Sequence, residues 1–340
     1  MRANRDGLSS ACAIMLRLPP ERLFALAVTV ALASLFLSLS IGSTDIPTAE
    51  VLRHLALNDN SINDRIIDQL RLPRSLSAFA VGGLLALAGA LMQVLLRNPL
   101  GDPYVLGVSG GASSAVLGGM LLAIPSLWLT PLAFVGALAS TFIVFALARS
   151  ESDPGSTRLL LTGIVMAAGW SAIISLTLSL SPAMQLPGML FWLMGDLSNA
   201  LRPVPLLSVL ALGLAGSLWI APRLNVALYG MEQAAVLGVD PARLRMQLYF
   251  LASLLTATAV AVAGAIGFVG LITPHIVRLL GATDQRRLLP LAALFGGSLL
   301  TLADTAARTL IAPMQLPVGV LTAVIGVPVF LVLLHREKRL

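Results

Sequence analysis

Long apolar runs broken by short polar stretches dominate the chain. The runs predict ten helices, at about 23–41, 75–96, 104–124, 131–148, 159–180, 204–220, 248–265, 264–281, 288–311 and 317–334. The second, Ser75 to Leu96, holds no charged residue. At about 1.5 Å per residue such a run spans roughly the 30 Å of a bilayer core. The eighth is short and broken by Gly264, Gly267, Gly270, Pro274 and Gly281. The pattern is therefore that of an all-α, polytopic membrane protein with about ten transmembrane helices.

The polar breaks subdivide it. Residues 42–74 form a loop with five acids and four arginines, and Ile46-Pro47-Thr-Ala-Glu50 suits a short helix start. A polar link runs from Arg149 to Arg158, and an apolar but non-spanning piece from Pro187 to Asn199. The stretch 221–247 is the longest polar segment of the second half. It reads as a short helix, a break at Gly238, then a second helix with Asp240 as N-cap and Pro241 in the first position. Two such helices form a rigid knob for a partner, or an amphipathic pair lying on lipid headgroups. The organisation expected is an N-terminal segment 1–22, a membrane domain 23–334 with a coupling loop at 221–247, and a tail 335–340.

Composition narrows the class. The chain is 57% hydrophobic and 11% charged, against about 25% charge in soluble domains. A soluble fold is excluded. The formal net charge of +6 reflects loop arginines rather than nucleic-acid binding. On a ten-span topology 16 of the 22 basic residues fall on one side and six on the other. The positive-inside rule then places both termini in the cytoplasm. Arg2, Arg5, Arg17 and Arg22 precede the first run like a signal-peptide n-region. That run is too long for a usual signal core, so it is expected to be a retained helix. Cys12 is the sole cysteine, which leaves no internal disulfide and no cysteine-rich metal site.

Catalytic signatures are absent. There is no phosphate-loop, zinc-protease or serine-elbow motif. His54, His275 and His335 lie far apart in sequence. Gly107-Val-Ser-Gly-Gly111 suits close packing at the start of helix 3 better than a phosphate cradle. Asp304 is the clear acid within a span, and Arg308 lies four residues on. That spacing suits a self-neutralised pair near the outer end of helix 9. With neither an ATP site nor an ion-coupling site, any uphill work requires a partner. Small residues recur every four positions as Ala78, Gly82, Ala86 and Ala90 on helix 2, and as Gly163, Ala167, Ser171, Ser175 and Ser179 on helix 5. Close helix packing is the preferred reading of both, with a polar pathway as the alternative for the serines. Ala88-Gly-Ala90 recurs 175 residues later as Ala263-Gly-Ala265, with Val94/Val269 and Pro99/Pro274 in step. This suggests an inverted internal repeat.

Several blocks carry a family resemblance. They are Arg71-Leu-Pro-Arg74, Gly89-Ala-Leu-Met-Gln93, Arg97-Asn-Pro-Leu-Gly-Asp-Pro103, Leu106-Gly-Val-Ser109, Gly264 to His275, Leu302-Ala-Asp304 with Arg308, and Leu316-Pro-Val-Gly319. In sequence and order they resemble the FecCD-type permease subunits of ABC importers for iron chelates, haem and cobalamin. The resemblance implies a homodimer in the bacterial inner membrane. It also implies two ATPase subunits that bind ATP and Mg, and a periplasmic or lipid-anchored substrate-binding protein. It assigns Arg71, Arg74 and Arg308 to docking of that protein, and Asn98, Leu100, Ser156 and Thr157 to a cytoplasmic gate. Glu232, Ala234, Ala235, Gly238, Val239 and Pro241 fall in the ATPase-coupling segment. By resemblance helix 5 lines the pathway. No cofactor is implied on this chain. No His or Tyr lies along helices 2 or 5, which counts slightly against haem, and no residue separates ferric siderophore from cobalamin. The competing expectation is an autonomous secondary transporter or channel.

Overall fold

The computed structural model describes residues 19–42, 47, 62–148 and 156–337. The expected helix start at Ile46–Glu50 lies outside the described residues, apart from Pro47. Ten main helices follow the ten apolar runs: α1 (Pro20–Ser40), α2 (Leu72–Leu95), α3 (Val108–Leu121), α4 (Ser126–Ala148), α5 (Ser156–Leu180), α6 (Pro203–Ala227), α7 (Pro241–Ala263), α8 (Val269–Leu279), α9 (Gln285–Thr309) and α10 (Val318–Glu337). Short helices at Leu186–Leu193 and Met231–Val236 join them. Among the described residues seven helices are long and apolar enough to cross a membrane: α1, α2 with its lead-in, α4, α5, α6, α7 and α9. The apolar parts of α3, α8 and α10 are shorter. The 11 residues of α8 rise only about 16 Å, roughly half a bilayer core. Gly264 (φ +67) closes α7, and Phe268 (φ +70) precedes α8.

The helix starts follow local chemistry. Asp240 caps α7, its carboxylate accepting from Ala242 N at 3.0 Å and Arg243 N at 3.2 Å, with Pro241 in the first position as expected. Asp284 caps α9, accepting from Arg286 N at 2.9 Å. Several boundaries differ from expectation. Helix extends from Ile62 through a π-helical turn at Ile67–Arg71 directly into α2, so Arg71-Leu-Pro-Arg74 lies within helix rather than at the end of a loop. Pro73 follows directly on the π-helical turn, where the regular hydrogen-bond ladder is already interrupted and a missing N–H is accommodated. Helix α6 runs through Pro222 to Ala227, and α7 begins at Pro241. The expected 221–247 loop thus shrinks to about 228–240, and its second helix is the start of α7.

Helix α2 is the axis of the bundle. Its apolar window is 94% buried, against 6% for α5. It packs on α9, α7, α6 and α8. The small-residue seam makes this possible. A Cβ on Gly82 would run into the Gly296 carbonyl of α9, and one on Gly89 into the Gly270 carbonyl of α8. Likewise a Cβ on Gly111 would strike the Gly136 carbonyl of α4, so the Gly107–Gly111 stretch serves close packing. The two Ala-Gly-Ala segments occupy unlike places: Gly89 is inside α2, whereas Gly264 ends α7. The expected packing face of α5 is packed within the chain only at its start, where Gly163 is buried and Ala167 half-buried. Ser171, Ser175 and Ser179 are exposed, and Ser171 and Ser179 donate back to the Ala167 and Ser175 carbonyls at 2.9 Å.

Candidate functional site

The two ends of α2 carry the polar chemistry. At the end where α1 finishes, Arg71, Arg74 and Arg308 converge as expected, but they are enclosed, each no more than 8% exposed. Arg74 donates to both oxygens of Asp304, from Nη2 at 2.8 Å and Nε at 3.0 Å, and from Nη1 to Gln315 Oε1 at 3.1 Å. The i,i+4 pair exists, with Arg308 Nε 3.2 Å from Asp304 Oδ2. It is not a self-contained pair, however, because Asp304 bridges α9 to α2. Arg308 Nη2 also reaches Ser38 Oγ at 2.9 Å, and Arg71 Nη1 donates to the Leu39 carbonyl at 2.7 Å. Ser38 and Ser75 share a hydrogen bond of 2.6 Å. Cations thus sit at the C-terminus of α1, where the helix dipole and open carbonyls favour them.

At the other end of α2 the chain turns through Arg97 (φ +50). Asn98 Oδ1 accepts from Leu100 N at 2.9 Å, and the Asn98 carbonyl from Gly101 N at 2.9 Å. Asp102 Oδ1 accepts from Tyr104 N at 2.7 Å, which starts a 3-10 turn, Pro103–Leu106. Burial outweighs that hydrogen bond and pushes the Asp102 carboxyl up to about 6. Burial also pushes the Tyr104 phenol up, and its oxygen accepts from Ile266 N at 3.0 Å. The Gly107 carbonyl accepts from Ser140 Oγ at 2.8 Å, which in turn accepts from Trp170 Nε1 at 2.7 Å. Gln93 Nε2 donates to the Leu271 carbonyl at 3.1 Å, and Arg278 Nη2 donates to Gln93 Oε1. One turn is thereby tied to α4, α5, α8 and the α7–α8 link. Asn98 and Leu100 lie on it. Ser156 and Thr157 are the first two residues of α5.

The 228–240 segment lies beside this turn. A Cβ on Gly230 would stand 3.2 Å from Arg97 Nη2. The short helix Met231–Val236 contains Glu232, Ala234 and Ala235 and buries Ala234. Val236 and Leu237 project with 88% and 70% of their surface exposed. Gly238 (φ +84) makes the break before Val239, Asp240 and Pro241, and nothing lies within 4 Å of where its Cβ would be. A small rigid apolar projection in this place suits a protein partner. The sequence marked this segment, the turn and the three arginines. It did not reveal the Asp304–Arg74 bridge, the Gln93–Arg278 contact or the Tyr104 contact to the α7–α8 link. The partners are separated by 162 to 230 residues.

Among the described residues no cluster of His, Cys, Asp and Glu could hold a metal ion. Among the described residues the architecture is all-helical, a polytopic membrane bundle with polar contacts at both ends of a buried axis. Residues 30–336 match the FecCD transport family, and the chain belongs to that family. It is 40% identical over 319 residues to the hemin transport system permease protein HmuU of Yersinia pestis, covering 89% of this chain and 94% of that protein. It is 41% identical over 278 residues to the cobalamin import system permease protein BtuC of Halobacterium salinarum, covering 81% of this chain and 74% of that one. A solved structure of a "metal-chelate type ABC transporter" in an inward-facing conformation superposes with a TM-score of 0.80 at 30% identity, covering 93% of this chain and 99% of that one. The chain is a permease subunit of the ABC-importer type.

Proposed function

We propose that the chain carries a metal chelate (a ferric siderophore, cobalamin or haem) from the periplasm or cell exterior to the cytoplasm across the bacterial inner membrane. Both termini and the 228–240 segment face the cytoplasm on this reading, in keeping with the arginine distribution. Two copies form a homodimer with α5 along the pathway. The exposed serines of α5 and its nearly unburied apolar window support this, because a packed helix would show neither. Two ATPase subunits supply the energy from ATP with Mg, and a substrate-binding protein delivers the chelate. The chain itself binds no cofactor on this reading.

The observation that carries the proposal is the projection Met231–Leu237 set beside the α2–α3 turn. A force on Val236 and Leu237 reaches Arg97, Asn98 and Leu100 within one turn of backbone. Asn98, Leu100, Ser156 and Thr157 then act as the cytoplasmic gate, and Glu232, Ala234, Ala235, Gly238, Val239 and Pro241 form the ATPase-coupling surface. Arg71, Arg74 and Arg308 keep their assignment to binding-protein docking, with one refinement. Acids of the incoming protein must exchange with Asp304 and the α1 carbonyls for these guanidinium groups.

The test is uptake by proteoliposomes holding this chain with its ATPase and binding protein, against a panel of ferric siderophores, haem and cobalamin. ATP-dependent uptake of one chelate, with no flux through the chain alone, is expected. Flux through the chain alone, driven by an ion gradient, would establish an autonomous secondary transporter or channel instead. A monomer-sized particle in the assembled complex would remove the homodimer.

A further inference from the structure

A cavity of about 490 Å³ opens between the starts of α1 and α9. Its apolar wall includes Leu23, Phe24, Pro290 and Leu291, and its polar wall includes Glu21, Arg286 and Arg287. The walls belong to two membrane-crossing helices at the level where each begins, so the cavity lies at a bilayer boundary. Its charges are uncompensated by one another. Among the described residues neither Glu21, Arg286 nor Arg287 makes an ion pair. The neighbouring Asp284 accepts from Asn225 Nδ2 at 2.7 Å and from Arg286 N at 2.9 Å, and these contacts, with the nearby charges of Arg286 and Arg287, hold its carboxyl below the usual range; it offsets part of their charge without forming an ion pair with either.

We infer that this cavity is a phospholipid site that takes a headgroup carrying both a phosphodiester and a primary ammonium, the phosphatidylethanolamine class. The two guanidinium groups suit a phosphodiester, to which arginine donates in a fork. The carboxylate of Glu21 suits an ammonium with N–H donors. A purely anionic headgroup would set its charge against Glu21, and a choline headgroup has no N–H to donate. The acyl chains continue along Phe24, which is 50% exposed, into the bilayer. A lipid here bridges α1 to α9 at the end opposite the Arg308–Ser38 contact, so the two helices are clasped at both ends.

The experiment uses the delipidated full chain with added phosphatidylethanolamine, phosphatidylcholine or phosphatidylglycerol. Retained lipid is counted by native mass spectrometry, and the thermal midpoint is followed in parallel. The expected result is about a tenfold preference for phosphatidylethanolamine over phosphatidylcholine, with a higher midpoint. Arg286→Ala with Arg287→Ala should lose the retained increment of phosphatidylethanolamine. Glu21→Gln should lose the preference over phosphatidylcholine while retaining phosphatidylglycerol. These side chains are exposed, so the variants fold. An unchanged preference in Glu21→Gln, or stronger retention of phosphatidylglycerol than phosphatidylethanolamine by the unaltered chain, overturns the proposal. So does retention that appears only after residues 2–17 are removed, which would make the chain's own N-terminal segment the occupant.

Discussion

Asp304 is 1% exposed and serves two arginines on different helices. Removing its charge leaves buried guanidinium groups without a counter-ion, which typically costs about 3–5 kcal/mol. Asp304→Asn should therefore lower the unfolding midpoint sharply in detergent, and a loss below about 1 kcal/mol would refute the bridge. Asp102 makes a pH prediction with the opposite sign from most acids. Its carboxyl titrates at about 6 in the folded chain, above its ordinary 3.8. Between those values the folded state binds more protons than the unfolded, so stability falls as pH rises from about 4 to 6. Because the side chain is partly exposed, the loss is on the order of 1–2 kcal/mol. Asp102→Asn, which keeps an acceptor for Tyr104 N, should flatten that slope in thermal unfolding followed across pH 4–7. At this scale the sequence was legible where partners are close along the chain. The i,i+4 spacing of Asp304 and Arg308 was plain, whereas Arg74 lies 230 residues from Asp304. The one available signal was an excess of arginine around a single intramembrane acid.

The bundle holds its axis by contact between backbones. On α2, Gly82 faces the Gly296 carbonyl, and a backbone atom cannot swing aside. Gly82→Leu should force α2 and α9 apart and cost about 3 kcal/mol or more. Gly169 on α5 has nothing within 4 Å of its would-be Cβ, so Gly169→Ala should be neutral or stabilise by up to about 1 kcal/mol. The two variants compared by thermal unfolding separate packing from propensity; equal losses would count against the seam. The small-residue spacing announced the α2 seam but misled for α5, whose serines face outward. Spacing alone reports that a helix has a narrow face, not what lies opposite. Helix existence was legible from the apolar runs, because a membrane demands them. Helix starts were not. Pro241 to Gln247 is polar helix beyond the apolar run, and Ile62 to Arg71 is helix rich in charge. Hydropathy cannot mark where such a helix begins.

Across the whole molecule, the two ends of α2 are joined by a helix that is almost wholly buried. A displacement of its turn has few ways to dissipate locally, since that turn is bonded to α4, α5, α8 and the α7–α8 link. The projecting helix Met231–Val236 enters this system beside Arg97. Its stiffness depends on Gly238, whose φ of +84 strains any side chain by roughly 1–2 kcal/mol while its surroundings leave room for one. Gly238→Val should therefore leave the fold intact and alter the angle at which Val236 and Leu237 are presented. In the reconstituted complex, uptake should fall at least tenfold while ATP hydrolysis continues at near the original rate. An equal fall in both would mean that ATPase docking, rather than transmission, has been lost. No fall in either would remove the 228–240 segment from the proposed coupling role.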